Sequence, residues 1–151
     1  MTPQLFLDDL LVGQRFICPG ATLTESDIIT FAMHYDPQPF HIDAVAAAES
    51  LYGGLIASGF QVIALCFRLF IQQGQFRAAS MGSPGMDDLR WYAPVRPGDT
   101  LHTEVEVLEV SPSRSKPDRG IARLQYAAIN QRGEQVAGFI VRHLLRVNQN
   151  N

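Results

Sequence analysis

Residues 59–73, Gly59-Phe60-Gln61-Val62-Ile63-Ala64-Leu65-Cys66-Phe67-Arg68-Leu69-Phe70-Ile71-Gln72-Gln73, are apolar nearly all round. Gln61, Arg68 and Gln72 recur at helical spacing and make one narrow polar seam. Such a helix is normally buried, not laid on a surface. Downstream the chain reads as β. Residues 88–91 are a candidate strand and residues 95–99, with Pro97-Gly98, a turn. Residues 101–110 alternate polar and apolar in near period two. A Ser/Pro-rich loop over 111–120 precedes a strand over 121–130, a hairpin turn over 131–134 and a last strand over 135–147. A buried helix followed by an antiparallel meander needs that sheet to wrap the helix, because two layers around one core is the stable solution. The expected class is α+β.

Upstream, residues 15–23 read as a first short strand. Thr24 offers an N-cap with Asp27 three residues on, and Ile28, Ile29 and Phe31 begin an apolar face. That helix must stop near Tyr35, because Asp36-Pro37-Gln38-Pro39 cannot continue it. Asp43 is the expected N-cap of an alanine-rich helix through Glu49, which Gly53 and Gly54 break.

Composition narrows the function. The chain has 151 residues, enough for one domain spanning 1–151 with its own core. A formal net charge of -3 and a single lysine, Lys116, leave no basic stripe for a phosphate backbone, so no nucleic-acid partner is expected. No apolar run reaches the roughly 18 residues of a membrane span, and acids stand where a secretory signal needs a positive n-region. A cytoplasmic enzyme is expected. Cys66 reads as a core hydrophobe and Cys18 as a strand residue, not as a disulfide framework. The four histidines and two cysteines lack metal-ligand spacing, so neither a metal nor a cofactor is expected. His34, His102 and His143 read as surface or half-buried groups.

Asp36 and His41 could supply a base and an acid near neutral pH. Their spacing does not establish a pair. Two prolines favour extended backbone, and five residues at about 3.1 Å each span roughly 15 Å. Either the segment loops back, or Asp36 is a turn residue and His41 an unrelated polar group.

Three stretches occur in order: 35–43 (Tyr-Asp-Pro-Gln-Pro-Phe-His-Ile-Asp), 51–60 (Leu-Tyr-Gly-Gly-Leu-Ile-Ala-Ser-Gly-Phe) and 89–101 (Leu-Arg-Trp-Tyr-Ala-Pro-Val-Arg-Pro-Gly-Asp-Thr-Leu). Together they resemble the MaoC-like dehydratases and R-specific enoyl-CoA hydratases, whose motif reads Gly-Asp-x-Asn-Pro-Leu-His-x-Asp. The resemblance covers about residues 9–147. It departs at Tyr35 for Gly, Gln38 for Asn, Phe40 for an aliphatic residue and Ser58 for His. Phe67 stands where some members carry a serine in the central helix.

The resemblance implies a hotdog fold, with an antiparallel sheet wrapped around the long helix. It implies an acyl-thioester hydratase or dehydratase acting on an enoyl-CoA, with Asp36 and His41 as the catalytic pair sharing one water. Gly59, with Ser58 and Gly54, is implied to hold the oxyanion and substrate; the Gly59 N–H at a helix start suits developing negative charge. A homodimer or dimer of dimers is expected, since open sheet edges must be covered. If bulky Tyr35, Phe40 and Phe67 line the acyl channel, short or compact acyl groups are expected. A hotdog thioesterase and a non-catalytic acyl-thioester binding subunit are the alternatives. The former commonly uses an acid on or beside the central helix, and residues 51–86 contain none.

Overall fold

The computed structural model describes residues 1–150. Thr24 caps the first helix, α1 (Glu25–Tyr35), with a reciprocal box: its hydroxyl accepts from the Asp27 N–H at 3.1 Å, and the Asp27 carboxylate accepts from the Thr24 N–H at 3.0 Å. The helix ends at Asp36. A four-residue helix, α2 (Pro39–Ile42), follows, with Pro39 at its first position. There the missing N–H costs nothing and the fixed φ is already helical. Asp43 then caps α3 (Ala44–Glu49), its carboxylate accepting from the Val45 and Ala46 N–H groups. After the glycine turn comes α4 (Gly59–Ile71), capped by Ser58.

The sheet is built from β1 (Arg15–Ile17), β2 (Ala21–Thr22), β3 (Gly85–Trp91), β4 (Thr100–Pro112), β5 (Arg119–Ile129) and β6 (Gln135–Arg146). Its order is β1-β4-β5-β6-β3, with β2 also on β4, and every pairing is antiparallel. The expected strand over 15–23 is two strands, separated at Cys18-Pro19-Gly20, where Pro19 has no N–H for a ladder. Cys18 lies just past β1, buried, with its N–H on the Thr103 carbonyl. The loop expected over 111–120 is shorter, because β4 and β5 keep pairing out to Pro112 and Gly120.

The sheet curls around α4 as a hotdog fold requires. Val62, Leu65, Cys66, Leu69 and Phe70 of the helix share one core cluster with Val105, Val107, Leu124, Tyr126 and Phe139 of the sheet. Thr103 adds a buried tie, its hydroxyl donating to the Cys66 carbonyl at 2.7 Å. At roughly 25 cal/mol per Å² of apolar surface, this burial supplies the main stabilisation.

The helix is not sealed on all sides. Phe60, Phe67 and Ile71, at i, i+7 and i+11, form an exposed stripe, while Gln61 is buried. Of the polar seam, Arg68 and Gln72 are exposed on that side, and Gln61 departs from it, its amide held inside by donating to the Asp27 carbonyl at 3.0 Å.

Strand β3 is the free edge beside β6. Its register jumps from Asp87↔Ile140 to Arg90↔Gly138, a bulge in which Asp88 adopts φ 53. Among the described residues, no helix is long and apolar enough to cross a membrane.

Candidate active site

The two prolines do not hold residues 36–41 extended. Asp36 closes α1, its N–H on the Ala32 carbonyl, and α2 then turns the chain back. His41 Nε2 thereby comes 3.2 Å from Asp36 Oδ2. Both groups are sheltered, with side chains 5% exposed for His41 and 15% for Asp36.

Each is oriented by further bonds. His41 Nδ1 lies 2.7 Å from the Ile56 carbonyl, which can only accept, so Nδ1 carries a hydrogen. Nε2 is therefore the atom that gains or loses a proton, and it faces the carboxylate. Asp36 Oδ1 accepts from the Gln38 amide at 2.7 Å, and Oδ2 from the Ser58 hydroxyl at 2.7 Å. Partial burial pushes the Asp36 carboxyl up. The Gln38 and Ser58 donors and the adjacent His41 outweigh it, and the carboxyl sits below its ordinary value.

Ser58 serves two elements. Fully buried, it donates to Asp36 and accepts from the Phe60 N–H at 3.3 Å as the cap of α4. Gly59 is the first residue of α4, so its N–H has no acceptor within the helix. The indole of Trp91 packs against it: a Cβ on Gly59 would stand 2.6 Å from the ring, whose Nε1 donates to the Gly59 carbonyl at 3.0 Å.

A cavity of about 470 Å³ opens on this cluster, with Asp36, His41, Gly59, Phe60, Trp91 and Tyr92 in its walls. Of the bulky residues expected around an acyl channel, Phe40 lines it. Tyr35 instead lines a groove between α1 and α4, and Phe67 a third cavity. Gly54 is not in these walls; it lies beside the Arg96 guanidinium, which bonds the Tyr52 carbonyl. The cavity also uses groups with little sequence signal. The Ile56 carbonyl has none, being backbone. Trp91 stands in the sequence only as an aromatic at the end of the candidate strand over 88–91. His143, expected on or near the surface, is buried at 3% exposure because β6 turns it into the aromatic core. Among the described residues, no group of three or more His, Cys, Asp or Glu side chains could hold a metal ion.

The family model described as the MaoC like domain matches residues 11–127. The chain belongs to the MaoC-like domain family. A MaoC-like dehydratase from Rhodospirillum rubrum is similar across 95% of this chain and 98% of its own, with 41% identity and a TM-score of 0.88. R-hydratase PhaJ1 from Pseudomonas aeruginosa has 29% identity and a TM-score of 0.75 over 96% of this chain and 91% of its own. The uncharacterized protein YdeM of Bacillus subtilis is 34% identical over 130 residues, 86% of this chain and 91% of its own. The MaoC-like family thus connects this chain to hydratases and dehydratases.

Proposed function

We propose that this MaoC-like protein adds water to, or removes it from, a 2-enoyl or 3-hydroxyacyl thioester of coenzyme A, using Asp36 and His41. One observation carries the reading: Asp36 Oδ2 and His41 Nε2 stand 3.2 Å apart in the wall of one cavity, close enough to bind the same water. In hydration the water oxygen bonds to C3 while Asp36 takes its proton. Protonated His41 gives the Nε2 proton to C2 on the same face. Charge that builds on the thioester oxygen meets the Gly59 N–H and the positive end of α4. Ser58 keeps Asp36 ionised and aimed. Dehydration retraces these steps, with neutral Nε2 removing the C2 proton and protonated Asp36 releasing water.

A homodimer, or a dimer of dimers, belongs to this reading. It is supported by the exposed α4 stripe of Phe60, Phe67 and Ile71, and by exposed Met86, Trp91 and Tyr92 along the edge of β3 and just past it. An edge of this kind needs a cover.

The test is direct. Purified protein is mixed with enoyl-CoA and saturated acyl-CoA thioesters, following enoyl absorbance and free thiol. Loss of enoyl absorbance, abolished in Asp36→Asn, is expected. Thiol release without hydration would replace the reading with a thioesterase, and neither signal would leave a binding subunit.

A further inference from the structure

A cavity of about 500 Å³ lies at the C-terminal end of α4, with Phe67, Ile71, Phe76, Arg77, Val141 and His143 in its walls. His143 is its buried polar group. The imidazole lies nearly parallel to the Phe67 ring, at 8° and 6.1 Å between centroids, and meets Phe76 edge-on. Its Nε2 is 2.7 Å from the Tyr126 hydroxyl.

That contact fixes the tautomer. Tyr126 is fully buried, and His143 is the hydrogen-bond partner of its hydroxyl. If Nε2 carried the hydrogen, the phenol hydrogen would be buried without an acceptor, at a cost of about 1–3 kcal/mol. The phenol therefore donates to Nε2. Burial also pushes the His143 ring down to about 4, so it is neutral near pH 7. A neutral ring that accepts at Nε2 bears its hydrogen on Nδ1. Nδ1 has no hydrogen-bond partner among the described residues, nor is it a sealed atom; among those, Gln61 Oε1 alone lacks a partner.

The exposed stripe of α4 has members in both cavities. Phe60 lines the Asp36–His41 cavity, and Phe67 and Ile71 line this one. Seven residues separate Phe60 from Phe67, about 10 Å at 1.5 Å per residue. We infer that this cavity receives the far end of the acyl group, and that the Nδ1–H of His143 selects acyl groups carrying a keto or hydroxyl oxygen there over plain hydrocarbon. The inference rests on the hydratase reading. A hydrocarbon end would bury the N–H unpaired, and sites built around a donor discriminate strongly against analogues that lack the acceptor.

Two 2-enoyl-CoA substrates of equal length, one with a keto oxygen near its far end, test this through the ratio of their kcat/KM values. The wild type should favour the keto substrate by roughly fivefold, the worth of one net hydrogen bond. His143→Phe, which keeps the aromatic stack, should bring the ratio near one. A wild-type ratio near one, or one unchanged in His143→Phe, overturns the inference. The saturated acyl-CoA pair is compared by calorimetry in parallel. A binding preference that His143→Phe abolishes upholds the cavity even where no hydration occurs, so a failed hydratase reading is told apart from a failed cavity. Should the variant not fold, ¹⁵N spectra of the wild-type imidazole decide. The Nδ1-protonated tautomer, perturbed at Nδ1 by the keto ligand alone, is expected; the Nε2-protonated tautomer overturns it.

Discussion

His41 Nε2 sits 3.2 Å from Asp36 Oδ2 although Pro37 and Pro39 lie between them in the chain. The approach is made by α2, four residues long, and locked by the Ile56 carbonyl behind the ring and the Ser58 hydroxyl behind the carboxylate. Neither group can be changed without touching the other.

Asp36→Asn keeps the shape and removes the base, while His41→Gln keeps a donor that cannot deliver a proton to carbon. Each should lower hydration at least about a hundredfold. The double mutant should lose little beyond the worse single mutant, since residues acting on one water are grossly non-additive. Steady-state rates with melting temperatures alongside check this, and near-normal turnover in well-folded Asp36→Asn would sink the mechanism.

Ser58→Ala removes both a donor to Asp36 and the cap of α4. The carboxyl should rise toward its ordinary value, because one of the bonds holding it down is gone. The acid limb of kcat/KM, where the base becomes protonated, should then move to higher pH. The lost cap should cost about 1 kcal/mol by denaturant titration. An unmoved limb with the same stability loss would reduce Ser58 to a cap.

Gly59→Ala forces the indole of Trp91 away, since the added Cβ would stand 2.6 Å from it. Overpacking of this kind costs roughly 1–3 kcal/mol. Trp91 is the one tryptophan in the chain, so its emission should shift as activity falls. Unchanged emission with full activity would contradict the contact.

His143 gives stability a pH dependence of known sign. Its folded value of about 4 lies below the ordinary 6.5, so between those pH values the unfolded chain binds a proton that the folded chain refuses. Stability should fall as pH drops through that window, by roughly 3 kcal/mol at its foot. His143→Phe should flatten that part of the profile in urea titrations at stepped pH. An equal slope in the variant would assign the loss to other groups.

Much of this was legible in local chemistry. Thr24 with Asp27, Asp43 before its alanines and the alternation into β4 each report on a few neighbouring residues, and each element formed as read. The return of His41 to Asp36 was not legible from the residues, because Pro39 suits an extended segment and the first position of a helix equally well; only the likeness to a family suggested the pair. The exposed side of α4 was hidden for a related reason. Helical spacing groups Phe60, Phe67 and Ile71, but does not say which side the sheet takes. Gln61 misled because its partner, the Asp27 carbonyl, is 34 residues away and belongs to the backbone. His143 was unreadable until β6 was placed against Tyr126.

The bulge in β3 sets the aim of this edge strand and not its pairing. Asp88 is the extra residue, held at φ 53 where a side chain is ordinarily avoided, and past it the strand resumes with Trp91 opposite Ala137. Removing that residue would let β3 run in plain register with Trp91 still opposite Ala137. What would change is the local bend and twist that a bulge adds, and with them the angle at which the indole meets Gly59. The bulge works as a set screw: it leaves the pairing of the edge alone and trims the tilt of one side chain at the rim of the Asp36–His41 cavity.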